Sequence, residues 1–263
     1  MTAGLFLAAL RHDRAVVLGS LALVVVLAWT YLLLGAGLGM EMMDMGGGQM
    51  MVMLPEWTLG YGLVVFVMWA VMMVGMMLPS TAPMILLYAR VGREAASAGK
   101  PLAPTGWFAA GYLAVWIGFA IVATATQLVL ERAALLTPTM QGASGLLGGV
   151  VLIVAGLYQW TPFKESCLTH CRSPLHFIQR HGGFRRDAHG SFTIGTKHGG
   201  YCVGCCWALM ALLFVGGVMN VLWIAGLSAL VLLEKVLAVG RGLSRIAGLG
   251  MGMAGLGLIA GAL

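Results

Sequence analysis

Long apolar runs separated by short polar stretches set the pattern of this chain. The first covers Ala15 to Gly37, behind Arg11, His12, Asp13 and Arg14. Its 23 residues exceed a signal-peptide core and no small-residue cleavage site follows, so it predicts an uncleaved first helix. A second run extends from Thr58 to about Ala89, with Pro79 and Pro83 predicting a kink or break at its inner end. Further runs are Gly106–Leu130 and Ser144–Trp160, then, after the longest polar segment (Thr161–Gly200), Tyr201–Gly217, Val221–Val239 and the Gly-rich Ile246–Leu263. These predict an all-α, polytopic transmembrane helical bundle of about seven spans. Because the fifth and sixth runs meet at Gly216-Gly217-Val218-Met219-Asn220 with almost no loop, six spans with one half-inserted is the alternative. Residues 1–263 read as one transmembrane domain, with 38–57 an outer loop and 161–200 an inner, cytoplasmic loop.

Charge orients this threading. Of the 15 Lys and Arg residues, 13 fall in the N-terminal flank, the segment after the second run, the 161–200 loop and the end of the sixth run. Arg132 alone lies on the other side, and Lys235 is within a span. Cytoplasmic loops carry the excess of basic residues, so the N-terminus of this multi-pass chain is expected in the cytoplasm.

Composition sharpens the class. Hydrophobic residues make up 60% of the chain and charged residues 9%, with a mean hydropathy of +0.94. Soluble domains carry about 25% charged residues, so a soluble enzyme, a nucleic-acid reader and a disordered regulator are excluded. The expected partners are the lipid bilayer and a metal ion, with a membrane-protein partner or a second copy of the chain as further candidates. The 19 Met and 39 Gly are both high, and the odd count of five cysteines excludes a complete disulfide framework. Gly248-x3-Gly252 and Gly257-x3-Gly261 mark the last helix as a packing helix.

Soft-metal chemistry is written at two places. Residues 39–53 hold seven Met in fifteen positions, among them Met40, Met42, Met43, Met45, Met50 and Met51, interleaved with Glu41 and Asp44. Thioether sulfur is neutral and soft, prefers Cu(I) to zinc or magnesium, and survives in an oxidising compartment. The bland alternative is an apolar lip at the bilayer surface. In the second run Met68, Met72 and Met76 recur every fourth residue and share a helix face; Met72 and Met76 are the candidate inner ligands, against ordinary helix packing.

The second place is at the inner end. Cys167-x2-His170-Cys171 and Cys202-x2-Cys205-Cys206 flank the polar segment at one expected membrane depth, because one ends an inward span and the other begins an outward one. Helical spacing turns each group to one side, so the two can converge on a site of about four N or S donors, with His170 and His176 in reach. Cytoplasmic thiols stay reduced, which favours ligation or redox cycling over a disulfide. Copper is the first metal expected, zinc the second. His181, His189 and His198 read as solvated loop residues. Gln127, Gln159, Asn220, Glu234 and Lys235 are the polar groups near membrane depth. Such groups are costly and default to a function: Lys235 is expected to snorkel to the inner surface, and Glu234 to face the bundle toward Asn220 or Gln159.

Three blocks carry a family resemblance. They are Tyr158-Gln159-Trp160-Thr161-Pro162-x-Lys164-x2-Cys167-Leu168-x2-Cys171-Arg172-x-Pro174; Gly200-Tyr201-Cys202-Val203-Gly204-Cys205-Cys206-Trp207 with Gly217-Val218-Met219-Asn220 and Glu234-Lys235; and Met68-Trp69-Ala70-Val71-Met72-Met73-x3-Met77-x-Pro79-Ser80-x2-Pro83. Together they resemble the bacterial predicted metal-binding integral membrane proteins, a domain of unknown function. The resemblance runs from about Trp57 to Lys235 and implies a multi-span inner-membrane protein with a metal site. It supplies no reaction and leaves out the Met-rich stretch, where copper rests on thioether chemistry alone.

The leading expectation is binding or handling of Cu(I), methionines collecting it outside and cysteines holding it inside. A membrane oxidoreductase using a Cys-ligated metal or thiol couple is the alternative, although no span carries the His ligands of a membrane haem. An assembly subunit of a larger membrane complex is the third class. The chain has no Walker, dinucleotide-binding or Ser-His-Asp pattern, which disfavours a hydrolase or primary pump.

Overall fold

The computed structural model describes the backbone of residues 2–38, 41–44, 50–53, 57–137, 140–237 and 240–262, and side chains within 15–38, 57–137, 140–237 and 240–262. The chain is a helical bundle, α1 (Thr2–Leu33), α2 (Leu59–Ser97), α3 (Thr105–Arg132), α4 (Gly145–Tyr158), α5 (Pro162–Arg172), α6 (Pro174–Arg180), α7 (Ala188–Ala211), α8 (Leu213–Gly216), α9 (Val221–Val236) and α10 (Gly240–Ala260). Between α1 and α2, β1 (Glu41–Asp44) and β2 (Met50–Met53) pair antiparallel, Glu41 opposite Met53 and Asp44 opposite Met50. The described parts of the Met-rich segment are thus two paired strands; Met40 and Met45 lie outside the described residues, as do the side chains of Met42, Met43, Met50 and Met51.

Among the described residues five helical stretches are long and apolar enough to cross a membrane: Ala15–Leu33, Leu59–Ser97, Thr105–Arg132, Ala188–Gly216 and Gly240–Ala260. The pair α4 and α5, bent by 65° at their junction, is either a broken sixth span or a re-entrant loop, so the described residues hold five or six such stretches. α9 occupies the place of the remaining run, but its 16 residues reach only about 24 Å.

Two features depart from the hydropathy reading. α2 runs unbroken through Pro79 and Pro83. The Thr161–Gly200 stretch, polar in sequence, is largely helical: it holds α5, α6 and the start of α7, which begins at Ala188 rather than near Tyr201. Local signals account for these starts. Thr161 caps α5 by accepting from the Lys164 amide with Pro162 in the first turn, and Asp187 caps α7 by accepting from the Gly190 amide. That bond, first among its causes, holds the Asp187 carboxyl below its usual range. Asn220 is exposed and caps α9 by accepting from the Trp223 amide. The turn before it is made by Gly217, whose φ of +95° favours glycine.

Close backbone approach positions the core. α3 lies against α7 where a Cβ on Gly111 would collide with the Phe192 carbonyl and one on Gly195 with the Phe108 carbonyl. α4 meets α10 in the same way through Gly149 with Gly255 and Gly156 with Gly248, so Gly248 acts as the packing glycine its spacing predicts. The ends are tied separately. At one, Ala103 donates to the Arg185 carbonyl and the Arg185 amide to Tyr88. At the other, Trp57 donates to Glu131 (2.6 Å), and Gln127 joins Glu131 (2.8 Å), Trp69 (2.7 Å) and the Met140 sulfur (3.4 Å). Gln127 is therefore a structural hydrogen-bonding residue linking α2 to α3.

Candidate metal-handling site

The two cysteine groups converge. Cys167, Cys202, Cys205 and Cys206 are buried in one cluster with Cys171 packed against it, and all five are free thiols. α5 brings Cys167 over α7 so closely that a Cβ on Gly204 would sit 2.8 Å from its sulfur. Cys171, Cys205 and Cys206 come into side-chain hydrogen-bonding reach of Cys202. The Cys205 and Cys206 thiols also donate to the Cys202 carbonyl, at 3.1 and 2.9 Å. Among the described residues, however, no group of three or more His, Cys, Asp or Glu is arranged to hold a metal ion. The sulfurs form a compact cluster rather than a ready tetrahedral cage.

Cys202 is the hub. Its sulfur accepts from the Lys235 ammonium at 2.9 Å and lies 3.1 Å from the Tyr112 hydroxyl. Tyr112 also reaches the Met77 carbonyl at 3.2 Å, and Lys235 donates to Ser80 at 2.9 Å. Four helices, α2, α3, α7 and α9, thus meet at one sulfur. Lys235 does not snorkel: its side chain turns inward because Ser80 and Cys202 give its ammonium the partners that water would otherwise supply.

The neighbouring Glu234 points away from that cluster and pairs with Lys164, both carboxylate oxygens lying 2.8 Å from the ammonium. Gln159 also accepts from Lys164. This pair is 1% and 2% exposed, so α5 and α9 are joined by a desolvated ion pair beside the thiols. The expected Gln159 contact is made through Lys164, while Asn220 is elsewhere. Sequence reasoning placed Lys164 only near the cysteines; the signal that finds it is Glu234 itself, an acid in an apolar helix that requires a cation.

Every methionine of the α2 stripe is buried, Met68, Met72 and Met76 together with Met73 and Met77. The stripe begins beside the Trp69–Gln127 bond and ends at the turn that touches Tyr112 and Lys235. The histidines divide. His170 is partly exposed, donates from Nδ1 to the Ser166 carbonyl, and stacks on Tyr201 with ring centres 4.3 Å apart. His176 is exposed and lines a surface pocket with His170, Glu165 and Arg180. His189 is exposed as expected. His198, expected in solvent, is 3% exposed among Phe108, Tyr112 and Phe177. Its position one helical turn before Cys202 was the available clue.

Helices long and apolar enough to cross a membrane here enclose buried thiols and thioethers, donors whose softness suits a soft cation. A family profile described as PpoB2, copper chaperone, matches residues 66–258. The chain belongs to this copper-chaperone family, whose description names copper and not zinc. No curated protein and no solved structure matches the chain.

Proposed function

We propose that the protein is a membrane-embedded copper chaperone that holds Cu(I) on the Cys202-centred thiols. In this reading copper enters from the side of the 38–57 segment, where Met40, Met42, Met43, Met45, Met50 and Met51 offer thioethers. It moves past Met72 and Met76 toward Cys167, Cys171, Cys202, Cys205 and Cys206. The observation that carries the reading is the Met stripe of α2 ending against the cysteine hub, through the Tyr112 bridge between Met77 and Cys202. Thioethers bind Cu(I) weakly enough to pass it on, and thiolates bind it more tightly, so affinity rises along the path. His170 and His176 lie on the outer flank of α5 and α6, toward the pocket, and suit release of the ion to a partner. The membrane is a bacterial inner membrane and the N-terminus is cytoplasmic, supported by the gathering of basic residues at the α2–α3 and α5–α7 end.

Purified full-length protein loaded with Cu(I) should retain the metal against a chromogenic chelator. Replacing all five cysteines by serine should abolish retention while leaving the helical content unchanged. Equal retention by both proteins, or none by the wild type, overturns the reading.

A further inference from the structure

The cysteine hub contains one feature that copper handling does not by itself require, a lysine bonded to the sulfur. The Lys235 ammonium lies 2.9 Å from Cys202 Sγ, in a residue only 8% exposed, with Ser80 as its other partner. A lysine is an unusual neighbour for a site that must receive a cation, because it opposes the incoming charge. No ion pair joins it to a carboxylate among the described residues. Among the described residues Glu234 is taken by Lys164, Glu165 pairs with Arg241 at 2.9 Å, and Glu131 sits in the network with Trp57 and Gln127 at the opposite end. The sulfur cluster must therefore supply the negative charge that balances Lys235.

Charge arithmetic in a low-dielectric core then discriminates between metals. Two thiolates around a monovalent ion carry a net single negative charge, which one ammonium neutralises. Two thiolates around a divalent ion are already neutral, and the ammonium becomes an uncompensated buried charge, a costly state. A four-thiolate divalent site carries a double negative charge, of which one lysine balances half. Among the described residues no group of three or more His, Cys, Asp or Glu is arranged to hold a metal ion, which leaves two-thiolate ligation at Cys202, beside the Lys235 ammonium, as the case considered.

We propose that Lys235 is the counter-ion that selects a monovalent soft cation, held by Cys202 and one neighbouring thiolate, over divalent metals. This rests on the copper-binding reading and adds the basis of selectivity. Lys235 acts as a positioning residue: it touches the ligand sulfur and not the metal. Ser80 and Tyr112 hold the arrangement from α2 and α3.

The test measures Cu(I), Ag(I) and Zn(II) affinities of the full-length protein by chelator competition. Lys235→Met should lower Cu(I) and Ag(I) affinity by about 10- to 100-fold, the range typical of lost outer-shell partners, and should raise Zn(II) affinity relative to both. Lys235→Arg, which keeps the charge, should preserve the wild-type order of preference; a merely structural lysine would not produce this charge-dependent inversion. Should Lys235→Met fail to fold, Lys235→Gln keeps a donor for Ser80 without the charge and carries the same expectation. An unchanged Cu(I)-to-Zn(II) ratio in a folded neutral variant overturns the proposal while leaving copper binding intact. A wild-type protein that binds none of the three metals overturns both.

Discussion

At the scale of single residues, two lysines in the hydrophobic interior decide the chemistry of the site, and they do so in opposite ways. Lys164 is matched by Glu234 and Gln159, so its charge is consumed in holding α5 to α9. Lys235, the next residue along from Glu234, faces the sulfurs. Removing one member of a buried pair strands the other charge, at a cost of about 3–5 kcal/mol. Lys164→Met alone should therefore lower the unfolding midpoint sharply. Combining it with Glu234→Leu should restore most of the loss, since an apolar pair of similar volume is often neutral or better. Thermal unfolding of the two variants in one detergent checks this; equal destabilisation would mean that the pair is not the reason for the loss.

At the scale of elements, the site depends on how closely helices approach. The glycines of α3 and α7 let the backbones touch, and this closeness brings Tyr112 of α3 to Cys202 of α7. Gly111→Ala would force the Cβ against the Phe192 carbonyl, which cannot swing aside as a side chain can. Overpacking of this kind costs about 1–3 kcal/mol, and it should also weaken copper retention by separating Tyr112 from the thiol. Gly118→Ala, on the same helix, places its new methyl group where no atom lies within 4 Å. It should raise stability by about 0.5–1 kcal/mol, the helix-propensity gain of alanine over glycine. Stability and copper retention measured together on the two variants separate the close-approach effect from a general effect of alanine. The long polar stretch illustrates the limits of hydropathy at this scale. Residues 188–200 lie in α7 although many are small or polar, because Asp187 caps the helix and Gly195 and Gly199 give it a face that fits α3.

At the scale of the whole molecule, the proposed orientation rests on charge placed at one end of the bundle. Arg90, Arg93, Lys100, Arg180, Arg185 and Arg186 lie near the α2–α3 and α6–α7 connections, which are tied together by Ala103, Arg185 and Tyr88. Single cysteines introduced as Gly47→Cys and Gly183→Cys, in a background without native cysteines, should respond oppositely to a membrane-impermeant thiol reagent on whole cells. Labelling is expected for Gly47→Cys and not for Gly183→Cys. The reverse pattern would invert the orientation and with it the direction in which copper is proposed to move.

The apolar runs and the helical class were legible in the chain before any folding was known, because they depend on local composition and spacing. The proximity of the two cysteine groups was legible because one ends a run and the other begins the next at the same end. The inward turn of Lys235 and the pairing of Lys164 with Glu234 were not. Ser80 is 155 positions from Lys235, and Lys164 is 70 from Glu234. Pairings of that kind depend on the rotation of each helix about its own axis, and a helix apolar on all sides carries no polar face from which that rotation can be read. Adjacent residues point about 100° apart, so Glu234 and Lys235 had to face different neighbours, but only packing against α5 on one side and α2 on the other decided which. Residue order alone was enough to gather soft ligands in a bundle of membrane-length helices; which sulfur receives a cation as its partner was left to the packing of those helices.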